Sequence, residues 1–196
     1  MLHLLPLVLC LMPAQGAAPA PVMVVFETEL GAITMAVDVA RAPVTAANFL
    51  DYVDGKFYDG AVINRAVRPD NTTRKDVEIQ VIQFQSDPAR RREGFPAIPL
   101  ERTNVTGLKH VDGAISMARG RPDTATSSFS IVIGDQPELD FGGKRNPDGQ
   151  GFAAFGRVTA GMDVVRKIQA SKTAQAGAYS TETIDPPIKV LRAYRK

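Results

Sequence analysis

Eight short segments, in which apolar residues alternate with polar ones or run together, are each closed off by turn-forming residues, and they constrain this chain more than any other feature. They are Val22 to Phe26, Ile33 to Val37, Val62 to Val67, Val77 to Phe84, Ala114 to Met117, Phe129 to Ile133, Ala153 to Val158 and Ile188 to Tyr194. Successive residues of a strand point to opposite faces, so the first two segments, apolar at every second position, each offer one face to a core, with Gly31 as the hairpin turn between them. Two stretches follow a helical period instead. Pro43 is suited to open the first, placing Val44, Ala47, Leu50 and Val53 on one side with Gly55 to end it. The second begins after Gly161, with Met162, Val165 and Ile168 facing the core and the helix closing an open end of the sheet. Strands so short and so numerous predict a mainly β fold, a closed eight-stranded antiparallel barrel, because closure removes sheet edges that would otherwise template aggregation.

Charge narrows the partners. With 23 Lys and Arg against 21 Asp and Glu the net charge is +2, a weak drive toward nucleic acid, so none is expected as a partner. Residues 1–20 hold no Lys, Arg, Asp or Glu, and the apolar stretch Leu4 to Met12 is too short to span a bilayer. Small residues follow in Ala14-Gln15-Gly16-Ala17-Ala18, the pattern of a secretory signal over residues 1–18 ahead of a single domain at 22–196. Cys10, the one cysteine, falls inside the signal, so a mature chain has no thiol, which suits an oxidising compartment. The expectation is a periplasmic or secreted monomer with no stable membrane insertion after processing.

Inventory excludes several chemistries. The two histidines are His3, within the signal, and His110, so a multi-histidine zinc site cannot be assembled in the mature chain and no metal site is expected. A Ser-His-Asp nucleophile would have to use His110, and no Gly-x-Ser-x-Gly turn presents a serine. Neither a Walker A nor a Gly-x-Gly-x-x-Gly fingerprint is present, and no cofactor is expected. What remains is chemistry that needs no metal, covalent intermediate or cofactor.

Four motifs in order give that remainder a shape. They are Phe57-Tyr58-Asp59-Gly60-Ala61-Val62-Ile63-Asn64-Arg65, Gly113-Ala114-Ile115-Ser116-Met117-Ala118, Ser127-Ser128-Phe129-Ser130-Ile131, and Leu139-Asp140 with Gly151-Phe152-Ala153-Ala154-Phe155-Gly156-Arg157-Val158. The set resembles the cyclophilins, peptidyl-prolyl cis-trans isomerases, from about Val24 to about Ala170. The resemblance implies a cyclophilin-like barrel capped by two α-helices, whose partners are proline-containing segments of unfolded or folding proteins. It assigns the catalytic donor to Arg65, at the arginine of the family's Phe-His-Arg strand, here Ile63-Asn64-Arg65. Val81-Ile82-Gln83 resembles the Met-Ile-Gln run, making Gln83 a backbone-amide contact and Val81 a wall of the proline pocket. The segment from Arg65 to Val81 is longer than in compact members, and Ile79-Gln80 replaces Gly-Phe.

Met117-Ala118-Arg119 resembles the Met-Ala-Asn strand that pairs with extended substrate, so Ala118 and Arg119 fall on the substrate side. Ser128 and Ser130 stand where the family has glutamine and a second phenylalanine, which removes an aromatic wall, and Phe129 points into the core. Leu139 aligns with the pocket leucine of Trp-Leu-Asp-Gly, with Glu138 in place of tryptophan. Phe152 occupies the position of a pocket histidine and restores aromatic surface. The leading expectation is therefore an exported prolyl isomerase that assists folding of exported chains. The alternative is a proline-peptide-binding or chaperone-like module of the same fold with little catalysis. A barrel holding a small apolar ligand inside is a third reading, disfavoured because barrels of this size fill with side chains.

Overall fold

The structure, a computed structural model, describes residues 18–90, 92–174 and 181–196. Residues 1–17 of the expected signal, with Cys10, lie outside the described residues. Among the described residues there are nine strands: β1 (Val22–Thr28), β2 (Gly31–Val37), β3 (Val62–Val67), β4 (Val81–Gln85), β5 (Ala114–Met117), β6 (Phe129–Val132), β7 (Ala153–Ala160), β8 (Thr173–Ala174) and β9 (Thr183–Arg195). Three helices accompany them, α1 (Pro43–Asp54), the single turn α2 (Thr103–Thr106) and α3 (Met162–Gln169). The ladder runs β1-β2-β7-β5-β6-β4-β3-β9 and returns from β9 to β1, so eight antiparallel strands close on themselves while β8 adds a short pairing to β9. No helix among the described residues is long and apolar enough to cross a membrane.

Rings fill the interior. Phe84 and Phe129 stack with centroids 4.5 Å apart, Phe26 meets Phe129 edge-on at 5.5 Å, and Phe49 from α1 packs on Phe129 and Phe155 at 5.1 Å each. These rings are fully buried, leaving the apolar-cargo reading without support. They also decide how α1 sits. Val44 and Ala47 are exposed, and the core face is Ala46, Phe49, Leu50 and Val53, because turning the helix by one position buries the Phe49 and Tyr52 rings in place of two small side chains. Val165 and Ile168 of α3 are buried as expected, with Met162 half-buried. Gly31 opens β2 at φ +135°, and a Cβ there would lie 2.8 Å from Val164 of α3. Its lack of a side chain is what lets the hairpin reach the helix.

Several strand ends shift by one or two residues from their sequence patterns, and two strands differ by more. β4 begins at Val81 because Val81 pairs with Val67 and with Val132, the last residues of β3 and β6, so Val77 to Gln80 has no ladder to join. β9 begins at Thr183 rather than Ile188. Its early part pairs Thr183 with Arg65 and Ile184 with Thr173, and Pro186-Pro187, which lack N–H donors, sit where the register against β3 shifts.

The connection 142–151 is held at both ends. The Lys144 amide donates to the Glu138 carboxylate at 2.8 Å and the Arg145 amide to the Glu138 carbonyl at 3.1 Å. A Cβ at Gly143 would lie 2.4 Å from that carbonyl, so the loop lies flat on the turn Pro137–Leu139. At the other end Arg119, only 1% exposed in its side chain, donates to Asp148 at 2.7 and 3.0 Å and to the Gly151 carbonyl.

Truncating Phe129→Ala removes a ring that meets Phe26, Phe49, Tyr58 and Phe84 and is expected to cost about 3–5 kcal/mol, read from urea denaturation. An effect under 1 kcal/mol would contradict the packing described. Hydrogen bonds from Arg119 lower the Asp148 carboxyl to about 2. Because this folded value lies below that of the unfolded chain, the stabilisation is fully present above about pH 4 and fades as pH falls toward 2. The stability gap between wild type and Asp148→Asn, followed by circular dichroism, is therefore expected to narrow over that interval, and a constant gap would contradict the pairing.

Candidate active site

The strand pleat gives the barrel an inner face of rings and an outer face on which two rows of side chains run across adjacent strands. Arg65 of β3 stands opposite Gln83 of β4, Gln83 opposite Ser130 of β6, and Ser130 opposite Ser116 of β5, a polar row spanning four strands. Directly opposed residues share a face with Cβ atoms about 5 Å apart. Beside it lies an apolar row, Val67, Val81 and Val132, onto which Ile79, Ala114 and Leu139 pack as a second buried cluster capped by Phe152.

Where the rows meet, the outer face is hollowed into a groove of about 350 Å³. Arg65, Val81, Gln83, Ala118, Arg119, Ser130, Leu139 and Phe152 all line it, so eight of the nine residues expected at the site converge. Ser128 does not join them. It precedes β6, accepts the Ala118 amide on its carbonyl at 2.9 Å, and faces a neighbouring recess with Tyr52, Ser86 and Phe95. Arg119 lines the groove through a guanidinium already committed to Asp148, lying 5.2 Å from the centre of the Phe152 ring, which leaves its backbone as the part suited to pair with a substrate.

Among the described residues, Glu182 and Gln83 fix the direction of Arg65. Its Nε and one terminal nitrogen donate to a single Glu182 oxygen at 2.8 and 2.6 Å, and the other terminal nitrogen donates to Gln83 Oε1 at 3.0 Å. Glu182 is 5% exposed, so the charge compensation takes place out of water, where it is strong. The sequence motifs did not reveal Glu182, because it stands 117 residues from Arg65 and just before a strand whose start is disguised by prolines. Arg74, Arg145 and Asn146 also line the groove from the two long connections. Burial, and next the positive charge of Arg65, lower the Arg145 guanidinium from its ordinary range.

Beneath the polar row runs a buried relay. The Asp140 carboxylate accepts from His110 Nδ1 at 2.8 Å, and His110 Nε2 shares a hydrogen bond with the Ser116 hydroxyl at 2.8 Å. Burial pushes the Asp140 carboxyl up, but the His110 hydrogen bonds and the nearby Lys109 ammonium outweigh it and hold the group below its usual range. Asp140 follows Leu139, so the relay ties the apolar wall of the groove to β5. Among the described residues no group of His, Cys, Asp and Glu is arranged to hold a metal ion.

A groove with a braced guanidinium on one wall and aliphatic and aromatic surface on the other suits a polar, planar group attached to a small apolar ring. Residues 23–195 match the family model of the cyclophilin type peptidyl-prolyl cis-trans isomerases. The chain is 34% identical over 171 residues to peptidyl-prolyl cis-trans isomerase A of Dickeya dadantii, covering 87% of this chain and 83% of that protein. It is 32% identical over 158 residues to peptidyl-prolyl cis-trans isomerase B of Escherichia coli, covering 80% and 90%. A crystal structure of a cyclophilin type isomerase from Cryptosporidium parvum superposes with a TM-score of 0.67 at 18% identity, over 90% of this chain and 98% of that one, a likeness in fold. The match over nearly the whole barrel, together with these relatives, places the chain in the family of cyclophilin-type peptidyl-prolyl cis-trans isomerases.

Proposed function

We propose that the groove accelerates rotation about Xaa–Pro bonds in exported chains and that Arg65 is its catalytic residue. The observation that carries this reading is the Arg65 guanidinium, held by Glu182 and Gln83 on the wall of a groove whose other side is Val81, Leu139 and Phe152. Amide conjugation sets a barrier of roughly 18–20 kcal/mol, and uncatalysed exchange takes tens to hundreds of seconds. No bond breaks, so a catalyst need only hold the twisted amide better than either planar form. In the twisted state the lone pair localises on the prolyl nitrogen, and a fixed cationic donor hydrogen-bonds to it there. The apolar wall seats the proline ring, and the Gln83 amide and the Ala118–Arg119 backbone hold the flanking peptide. Lowering the barrier by about 7 kcal/mol corresponds to on the order of 10⁵-fold.

Similarity to named isomerases supports the activity, and a related Cryptosporidium parvum structure was determined in the presence of the dipeptide Ala-Pro. Export rests on the uncharged, apolar start of the chain followed by small residues. Ser130, where the family carries an aromatic ring, favours a second reading, a proline-peptide binder with weak catalysis.

Cis-to-trans conversion of a proline tetrapeptide separates them. Wild type is expected to accelerate it, with Arg65→Ala slower by about 10²–10³-fold in kcat/KM and Arg65→Lys also impaired, because an ammonium lacks the planar fork held by Glu182 and Gln83. Equal rates for wild type and Arg65→Ala would remove the role of Arg65, and binding without acceleration would establish the second reading. Export predicts that protein recovered from the periplasm or medium starts within residues 14–20, and a cytosolic product starting at Met1 would contradict it.

A further inference from the structure

The groove is one-sided in charge. Among the described residues, Arg65, Arg74, Arg119 and Arg145 line it and no Asp or Glu does. Three of these cations have a carboxylate set back from the lining: Glu182 for Arg65, Asp76 for Arg74 at 3.0 Å, and Asp148 for Arg119. Arg145 differs. Among the described residues it makes no ion pair, and its side chain donates only to the Val77 carbonyl, at 3.0 Å. It is half-buried, with Arg65 and Arg74 close enough to repel it and with Glu182 and Asp76 attracting it less effectively, and burial together with Arg65 disfavours its charged form on balance. Next to it Asn146 Nδ2 is buried and has no hydrogen-bond partner among the described residues. A cation and an amide donor, both incompletely matched, therefore sit side by side at one end of a substrate groove.

The backbone around them is built to keep them there. Arg145 and Asn146 belong to the connection that Glu138 clamps through the Lys144 and Arg145 amides and that Gly143 allows to lie flat. Arg74 enters from the other long connection, oriented by both oxygens of Asp76. Little conformational freedom remains to be lost when a ligand arrives, which favours binding.

We propose that this end of the groove is a specificity subsite for a carboxylate on the residue next to the substrate proline, received by Arg145 and Asn146 with Arg74 at its edge. The inference rests on the groove being the proline-peptide site. A charge-assisted contact in a partly desolvated site implies a preference for acid over its neutral isostere on the order of tenfold.

Two pairs of otherwise identical proline peptides test it, one with Glu or Gln directly before the proline and one with Glu or Gln directly after. Affinity is measured by titration and exchange rate in parallel. In wild type, the Glu member of at least one pair is expected to bind about tenfold more tightly at low salt, the pair concerned identifying the position, and the advantage is expected to shrink as salt rises. Arg145→Gln is expected to bring that ratio close to one and Arg145→Lys to keep part of it. The ratio is internal to each variant, so a partly destabilised protein does not mimic the result. Equal affinities within both pairs, or a preference that survives in Arg145→Gln, would overturn the proposal. Equal affinities with every peptide accelerated would sink the subsite alone, whereas a Glu preference in binding without acceleration of any peptide would keep the subsite and sink the isomerase reading.

Discussion

The architecture depends on β9 pairing along both of its edges. Its later half joins β1 from Val24 to Thr28, while Ile188 and Lys189 pair with β3. Without this seam the sheet would end in two long open edges. The same strand serves the groove, because its first residues pair with Arg65 and bring Glu182 onto the guanidinium. Barrel closure and the aim of the candidate catalytic side chain are thus one structural event.

The pleat separates rigidity from recognition. Along β4, Ile82 and Phe84 go inward among the rings, while Val81 and Gln83 go outward to the groove. β6 repeats the division with Phe129 and Ile131 inside and Ser130 outside. A core of interlocked rings resists deformation, so side chains one residue away along each strand are held at fixed spacing. The close approach of β7 to β2 adds to this, since a Cβ at Gly156 would lie 2.2 Å from the Ala36 carbonyl. The Asp140–His110–Ser116 relay completes the frame from below, joining the leucine wall to the row that Arg65 begins.

How much of this was legible in the sequence follows from distance along the chain. Val81 and Gln83 lie in β4, where strand alternation places them on one face, whereas Arg65 follows the register shift in β3, Leu139 lies in the turn Pro137–Leu139 and Phe152 precedes β7, so these three were legible only through the short motifs they belong to. Ser128 belongs to such a pattern too, yet it precedes the first residue of β6, where alternation no longer governs direction, and it turns to the neighbouring recess. The face of α1 was misplaced because spacing alone does not weigh a buried ring against a valine. Glu182 was beyond reach, since its partner is set by the β3–β9 register. Arg145 and Asn146 were likewise hidden, because a loop's composition does not say which residues its anchors present.

The claim at the centre is that Glu182 acts through Arg65, holding the guanidinium where a twisted prolyl amide meets it. A double-mutant cycle on kcat/KM for proline isomerisation, with Arg65→Ala, Glu182→Gln and both together, addresses it directly. The account predicts that Glu182→Gln alone lowers the rate and that adding it to Arg65→Ala costs nothing further. Losses that multiply would show two independent roles and contradict it.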